Sequence, residues 1–251
     1  QLFIILTFCI SCSSCDKSDG DTEEDDNPPV VVDPMTDEEI LNRVQKDALK
    51  YFWDYAEPNS LLGRERYHED NIYPQNDKHV VTTGGSGFGL ATVLVGVERG
   101  FIPREEAVKR LNTMMDFLAK ADRFHGAWSH WIDGNTGKVK PFGTKDNGGD
   151  LVETSFLAAG MITVREYLKD GSEKDKAVAQ KFDALWKGVD WQWYTNNNNV
   201  LYWHWSPNYA WQMNFPLEGY NECLITYILA ASSPTHTIDA KAYHEGWARS
   251  G

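Results

Sequence analysis

The predicted helices of this chain alternate between two hydrophobic patterns, and this alternation limits the folds it can adopt. The segments that begin near Gly84, Gly148 and Gly219 are apolar on nearly all sides, as expected of buried helices. The segments between them are amphipathic, as expected of helices that face water on one side. Gly85 and Gly148 are 63 positions apart, and Gly148 and Gly219 are 71 apart, or one helical hairpin per ~65–70 residues. We therefore predict an all-α fold, a partial toroid of three helical hairpins with alternating inner and outer helices.

Capping signals and breaks indicate where these helices begin and end. A capping box at 36–39 opens the first helix, and its apolar stripe is Ile40, Val44, Ala48 and Phe52. Two excursions interrupt the helices: a β-hairpin predicted over 128–139 and an aromatic, extended segment over 200–215. A sixth helix is predicted from about 219, and a short last helix covers about 240–248.

Three carboxylates stand where a loop becomes the fourth helix. Asp146, Asp150 and Glu153 have the spacing i, i+4 and i+7, so they would share one face at a helix N-terminus. Clustered acids whose pKa values differ are what the hydrolysis of a glycosidic bond requires. The alternative is a capped and solvated helix start, because aspartate is also favoured there by capping and by the helix dipole.

The N-termini of the inner helices would converge at one mouth of the toroid. The chain has ten Trp and 13% aromatic residues, and the flat apolar face of an indole suits the C–H face of a sugar ring. A concave, polar-floored and Trp-lined mouth is typical of a sugar site. The polar residues gathered there would be Ser86, Asp146, Asp150, Glu153, Asn221 and Glu222.

Charge and motif content exclude several other classes of function. The net charge is −13 and Lys and Arg form no cluster, so no nucleic-acid partner is expected. His125 and His130 lack the accompanying Cys or Glu pattern of a zinc site. The glycines at 84–87 follow no β run, so they are not a dinucleotide fingerprint. We expect no metal and no cofactor.

The N-terminus reads as a targeting segment. Residues 2–10 form an apolar run that is too short to span a bilayer and fits the core of a signal peptide. Cys12 and Cys15 each follow a small residue and resemble bacterial lipoprotein cleavage sites, and both remain candidates for lipidation. The acidic stretch after Cys15 resembles the export signal of surface lipoproteins in Bacteroidetes-type bacteria.

The predicted organisation therefore has three parts: a lipoprotein signal segment at 1–15, a disordered acidic tether at 16–34, and a helical domain at 35–251. The expected location is the outer membrane, cell surface or periplasm, with membrane contact only through the lipid anchor. We expect the protein to be a monomer. The chain begins with Gln1 rather than Met, so its start is expected to lie upstream.

Seven motifs together resemble the bacterial glucoamylase-like domain, whose characterised members are similar to the endo-β-1,2-glucanases of glycoside hydrolase family 144. The resemblance runs from about Asp37 to Gly251. The motifs are TTGGSGFG at 82–89, RGFI at 99–102, DRFHGAW at 122–128, KDNGGDLVET at 145–154, YWHWSP at 202–207, GYNEC at 219–223 and SPTH at 233–236.

The resemblance implies an (α/α)6 barrel and an inverting hydrolase of β-1,2-linked glucan. It implies that Glu222 is the general acid and that Asp146, Asp150 and Glu153 hold the sugar or help to activate water. We expect burial beside Tyr220 to raise the pKa of Glu222. A full barrel has six hairpins, so the chain is expected to be a piece of a longer protein that lacks at least one further acidic residue of the site.

A wider set of polar and aromatic residues is predicted to bind sugar, although each could instead pack or anchor a loop. Its members are Arg64, Arg66, His68, His125, Trp128, His130, Trp203, His204, Trp205 and Trp211. The alternative for Glu222 is an ion pair with Arg64 or Arg66.

Three alternative functions remain open at this point. One is a non-catalytic carbohydrate-binding surface lipoprotein, and the carboxylate cluster argues against it. Another is a glucoamylase-type hydrolase of α-linked glucan. The third is a polysaccharide lyase, which the acidic character of the site disfavours because lyases act on acidic substrates.

Overall fold

The computed structural model describes residues 34–249, and the compact unit begins at Asp37. The predicted signal segment, with Cys12 and Cys15, and almost all of the predicted tether lie outside the described residues. The α-helices are α1 (Asp37–Trp53), α2 (Thr83–Glu98), α3 (Arg104–Leu118), α4 (Leu151–Leu168), α5 (Glu173–Lys187) and α6 (Leu224–Ser232). A 3₁₀ turn at Trp193–Thr195 and a π-helical turn at Ala242–Trp247 complete the helical elements.

Two small antiparallel sheets lie in the connections between helices. One contains β1 (Val80–Thr82), β2 (Trp131–Asp133) and β3 (Val139–Lys140), in that order. The other pairs β4 (Gly149–Asp150) with β5 (His204–Trp205), so that Asp150 lies opposite His204. The predicted hairpin is therefore confirmed as β2–β3, and the sequence did not predict that β1 joins it.

The helices form an inner and an outer layer, as the alternation predicted. α4 packs between α2 and α6, and α5 packs on α4 and α3 from outside. Most of the buried helical side chains belong to α2 and α4, whereas α3 and α5 each bury one face. The mostly helical fold and the partial toroid of hairpins predicted from the sequence are thus confirmed.

Two glycines allow α2 and α4 to touch through their backbones. A Cβ at Gly87 would lie 2.2 Å from the carbonyl oxygen of Phe156, and one at Gly160 would lie 2.3 Å from the carbonyl oxygen of Gly87. These separations are too short for any side chain. The glycine pair therefore brings the N-terminal ends of two inner helices together, which is where the carboxylates lie.

The predicted apolar stripe of α1 is only partly buried, because Phe52 is half-buried but Ala48 is exposed. Ile40 and Val44 are 47% and 59% exposed, whereas Leu49 is buried and α1 packs on α2. The reason is that glycines of α2 receive the C-terminal half of α1: a Cβ at Gly96 would lie 2.9 Å from Leu49, and one at Gly89 would lie 2.6 Å from Phe52.

No helix within residues 34–249 is both long enough and apolar enough to cross a bilayer.

Candidate active site

Asp150 is the centre of the carboxylate cluster, and it is entirely buried. Its Oδ1 accepts the backbone N–H of Glu153 at 2.9 Å, which makes it the N-cap of α4. Its Oδ2 lies 2.9 Å from His130 Nδ1 and accepts Trp203 Nε1–H at 2.8 Å. Because all three neighbours satisfy it and water does not reach it, Asp150 orients the side chains around it.

Asp146 lies in the loop before β4 and is 4% exposed. Neither of its carboxylate oxygens has a hydrogen-bond partner among the described residues. Burial, and then the negative charge of Asp150, raise the pKa of Asp146 to about 6. Below that pH this carboxyl group is protonated and can donate a hydrogen bond, and above it the group is a base.

His204 lies beside Asp146, with 3.2 Å between its Nε2 and Asp146 Oδ1. The same Nε2 accepts the backbone N–H of Gly148 at 3.2 Å, so the ring proton is assigned to Nδ1. Burial lowers the pKa of His204. A neutral His204 leaves the charge of Asp146 without compensation, which agrees with the raised pKa of Asp146.

Glu153 is the member of the cluster that reaches into α2. Its Oε2 accepts the backbone N–H of Gly84 at 2.9 Å, and a Cβ at Gly84 would lie only 2.5 Å from that oxygen. Burial raises the pKa of Glu153, and the charges of Asp150 and, to a smaller extent, Glu222 raise it further. Glu222 is therefore close enough to Glu153 to act on it electrostatically.

The structure corrects where these carboxylates stand in the fold. Only Glu153 belongs to a helix, because Asp146 is in a loop and Asp150 is in β4. Their spacing predicted that the three residues share one helical face, and this prediction is wrong. They meet because the β4–β5 pairing holds the loop against the start of α4.

Glu222 stands in the turn before α6, since that helix begins at Leu224 rather than near Gly219. The expected burial of Glu222 is wrong: Glu222 is exposed and Tyr220 is 92% exposed. The ion pairs of the described residues do not include one of Glu222 with Arg64 or Arg66. Arg64 instead donates to the carbonyls of Tyr55 and Lys78.

His130 is the basic member of the cluster. Burial alone would lower its pKa, but the hydrogen bond to Asp150 and the charge of Asp150 outweigh burial and raise it. Its ring packs on Phe142 at a centroid distance of 4.2 Å. His130 Nδ1 is held by Asp150, so the other ring nitrogen, Nε2, is the one that can act on a ligand.

One group of ligand atoms in the described chain has the geometry that could hold a metal ion. His130, Asp146 and Asp150 each offer one atom, and these atoms lie within 4.8 Å of one another. The donors around Asp150 argue for a hydrogen-bonded cluster instead, because both of its oxygens already accept N–H groups.

Three residues predicted to bind sugar prove to be structural. Trp128 and His204 are 0% and 1% exposed, so neither can touch a substrate. Trp128 donates its Nε1–H to the carbonyl of Leu118 and lies under the guanidinium of Arg123. Arg64, 8% exposed, anchors its loop through two backbone carbonyls.

Two further candidates lie in the long loop after α1. Arg66 is paired with Glu65 at 2.8 Å and with Asp77 at 3.2 Å. His68 is half-buried and packs edge-on against Tyr73. These contacts stabilise the loop but leave part of both side chains accessible.

Three of the remaining aromatic candidates, His125, Trp205 and Trp211, form an aromatic row around Trp193. Trp203 and Trp205 are half-buried, and Trp205 meets His125 at a centroid distance of 4.8 Å. His125 stacks on Trp193, which the sequence analysis did not select. The aromatic density of the segment 191–194 was a signal that could have found it.

Known proteins similar to this chain include several that act on β-1,2-linked glucans. A family model described as "Putative glucoamylase" matches residues 214–251. The exo β-1,2-glucooligosaccharide sophorohydrolase (non-reducing end) of Parabacteroides distasonis is 51% identical over 218 residues, which are 86% of this chain and 29% of that protein.

Solved structures extend the likeness to the fold. The endo-β-1,2-glucanase of Chitinophaga pinensis, in complex with sophorotriose and glucose, is 62% identical with a TM-score of 0.85, over 87% of this chain and 52% of that one. The β-1,2-glucanase of Parabacteroides distasonis is 49% identical with a TM-score of 0.80, over 86% of this chain and 30% of that one. The chain thus spans about half or less of the length of these relatives.

Proposed function

We propose that this chain is part of a glycoside hydrolase of the glucoamylase-like family that cleaves β-1,2-glucan, as the names of its relatives indicate. The observation that carries the proposal is the carboxylate cluster: three acids converge at the ends of the inner helices, and two of them have raised pKa values. A binding protein can use carboxylates to accept hydrogen bonds from sugar hydroxyls but does not need their pKa values to be raised, whereas acid–base hydrolysis depends on such shifts.

In the proposed mechanism Glu222 is the general acid. It is exposed at the mouth, on a turn between Gly219 and α6, where it can reach the oxygen of a glycosidic bond. Glu153, which is half-buried, holds the sugar or helps to activate water, and inversion follows if water attacks from the opposite face. The oxygens of Asp146 are buried, so Asp146 acts on the site electrostatically rather than by contact with the sugar. Asp150 is a positioning residue, since its contacts to His130 and Trp203 leave it no accessible oxygen.

The assay is release of reducing sugar from linear β-1,2-glucan, with starch as the α-linked control. We expect hydrolysis of β-1,2-glucan and a loss of at least about 100-fold in kcat for Glu222→Gln, since general acid catalysis contributes roughly 10²–10⁴-fold. Glu218→Gln is the matched control, because Glu218 lies in the same turn but pairs with Arg249.

Three outcomes would contradict parts of the proposal. Hydrolysis of starch instead would keep the site and overturn the substrate. Full activity of Glu222→Gln would overturn the acid assignment. Binding of β-1,2-glucan without hydrolysis would favour the non-catalytic carbohydrate-binding lipoprotein.

We further propose that the protein is a monomer held at the cell surface by lipid on Cys12 or Cys15. The support is the sequence of the N-terminal segment alone. Metabolic labelling with a palmitate analogue, comparing Cys12→Ala with Cys15→Ala, identifies the lipidated residue. If the label persists in both variants, the proposed anchor on Cys12 or Cys15 is contradicted.

A further inference from the structure

We propose that the exposed face of Trp193, backed by His125 and walled by Trp205, binds a glucosyl unit of the glucan chain at a distance from the bond that is cleaved. The inference rests on the proposed function, because it extends the same cleft by a binding subsite. It concerns a residue outside the carboxylate cluster. Four observations carry it.

The first observation is that Trp193 is held rigidly while remaining accessible. Its ring is stacked on His125, with centroids 3.7 Å apart and planes inclined by 13°. Its backbone N–H is bonded to Asp190 Oδ1 at 3.0 Å. Nevertheless the residue is 38% exposed, so part of the indole remains accessible to a ligand. A pre-ordered aromatic face loses little entropy when a ligand covers it.

The second observation is that the support under Trp193 is itself fixed. His125 has φ +50° and is followed by Gly126 with φ +83°, in a tight turn closed between Phe124 and Ala127. A Cβ at Gly126 would lie 2.0 Å from the carbonyl oxygen of Gly188. The turn therefore abuts the segment after α5, and His125 is held where it backs the indole.

The third observation is the shape of the aromatic surface. Trp205 stands nearly perpendicular to both stacked rings, at 88° to His125 and 79° to Trp193. Trp211 lies 6.1 Å from Trp193, inclined by 33°. The result is a flat face with an upright wall, which fits a pyranose ring that offers its C–H face to the indole.

The fourth observation connects this surface with the carboxylates. Trp205 pairs through its backbone with Gly149, the residue before Asp150, whereas Trp203 lies in a bend just before β5. Trp203 Nε1 bonds to Asp150, and Trp205 contacts His125 and Trp193. Trp205 therefore connects Trp193 to the strand that carries Asp150, and one glucan chain that crosses this surface can reach the carboxylates.

The chemical class of ligand follows from this surface. In glucosyl units the hydroxyl groups are equatorial, so both ring faces present C–H groups to an aromatic side chain. The rings that form the surface are uncharged at neutral pH, since burial lowers the pKa of His125 below its ordinary value. Neutral glucan chains are therefore favoured over acidic polysaccharides.

The test is isothermal titration calorimetry of the protein with β-1,2-gluco-oligosaccharides of increasing length, from sophorose upward. For Trp193→Ala we expect the Kd of the longest oligosaccharide to rise about tenfold, the loss typical of one good aromatic contact, while the Kd of the shortest one that binds stays unchanged. Trp193→Phe keeps a ring and should recover most of the affinity.

Tyr243→Ala is the matched control, because Tyr243 is 39% exposed and lies in the π-helical turn, outside the row. It should bind every oligosaccharide as the unchanged protein does. Thermal unfolding of each variant separates a folding defect from a binding defect.

Three results would overturn the subsite: equal affinity of Trp193→Ala for long oligosaccharides, an equal loss at every length, or no binding of any oligosaccharide by the unchanged protein. The proposed function is judged separately by reducing-sugar release. A protein that binds in the predicted length-dependent way but cleaves nothing would keep the subsite and contradict the hydrolase.

Discussion

His130 Nδ1 lies 2.9 Å from Oδ2 of the fully buried Asp150, and this contact links the sheet β1–β2–β3 to the start of α4. His130 immediately precedes β2, and Asp150 caps α4. The contact therefore has two consequences. It fixes the orientation of the imidazole at the mouth, and it makes the protonation of His130 part of the stability of the fold.

For Asp150→Asn we expect the pKa of His130 to fall, because the hydrogen bond and charge that raise it are lost. A raised folded-state pKa stabilises the protein fully below the unfolded pKa of about 6.5, and this contribution is lost as the pH rises through the folded value. The variant should therefore lose more stability at pH 5.5 than at pH 9, by about 1–3 kcal/mol.

NMR titration of the His130 ring and urea unfolding at both pH values measure these two effects. Asp47→Asn is the control, because Asp47 pairs only with exposed partners on α1. An unchanged pKa of His130 in Asp150→Asn would contradict the coupling.

For Asp146→Asn we expect a protein that is more stable at pH 8 and nearly unchanged at pH 4. The pKa of Asp146 rises from 3.8 to about 6 in the folded state. The contribution of protonated Asp146 to stability is therefore present below the unfolded pKa of 3.8 and is lost as the pH rises through 6. Above that pH a buried charge must form without a hydrogen-bond partner. The gain at pH 8 should be about 1–3 kcal/mol.

Chemical unfolding of Asp146→Asn and the unchanged protein between pH 4 and pH 8 tests whether the substitution stabilises or destabilises the protein. A variant that is destabilised at pH 8 would mean that Asp146 has a stabilising partner when charged. Activity should fall in the same variant, because stability gained by removing an active-site charge is commonly obtained at the expense of function.

The sequence predicted the layers of this fold because periodicity reports burial. α2 and α4 lack a polar face, so they had to be interior, and the capping box at 36–39 marked the start of α1. The sequence did not predict that Leu49 is buried in α1 while Ile40 and Val44 are exposed. That difference in burial depends on Gly89 and Gly96 of α2, which accept Phe52 and Leu49, and such long-range complementarity leaves no local signal.

The candidate site was likewise predicted only in part from the sequence. The motif at 145–154 identified the acids correctly as a group, because their residue types and spacing are local. Their positions were wrong, since a β pairing between Gly149 and Trp205 replaces the first helical turn. The burial of His204 and the support of Trp193 by His125 also depend on segments far apart in the chain, so residue type alone could not separate structural from accessible residues.

For Gly87→Ala we expect a loss of about 3 kcal/mol in unfolding free energy, at the high end of overpacking costs. The added Cβ would meet the backbone of α4, 2.2 Å from the carbonyl oxygen of Phe156, and a backbone cannot move aside as a flexible side chain can. The site should also be disturbed, since Gly84 on the same helix holds Glu153.

Gly143→Ala is the control for this substitution, because its Cβ would meet nothing closer than Asp146 at 4.0 Å. Urea unfolding of both variants decides the question. Equal stability of Gly87→Ala and the unchanged protein would show that the inner helices can separate without cost.

Glu57 is a fully buried carboxylate whose hydrogen bonds anchor the loop after α1. Oε2 accepts the backbone N–H of Asn59 and of Ser60 at 3.0 and 2.7 Å and the Ser60 hydroxyl at 2.7 Å, and Oε1 lies 2.8 Å from His79 Nδ1. Burial alone would raise the pKa of Glu57, but these hydrogen bonds outweigh burial and lower it.

For Glu57→Gln we expect a loss of about 1–3 kcal/mol at pH 7, typical of hydrogen bonds to a charged group. A lowered folded-state pKa gives stability that is present above the unfolded value of 4.5 and lost as the pH falls through the folded value. The difference between variant and unchanged protein should therefore shrink below pH 4.5. Urea unfolding at pH 7 and pH 3 measures it, with the exposed Glu173→Gln as control. A difference that stays constant down to pH 3 would show that the charge of Glu57 adds nothing to the anchor.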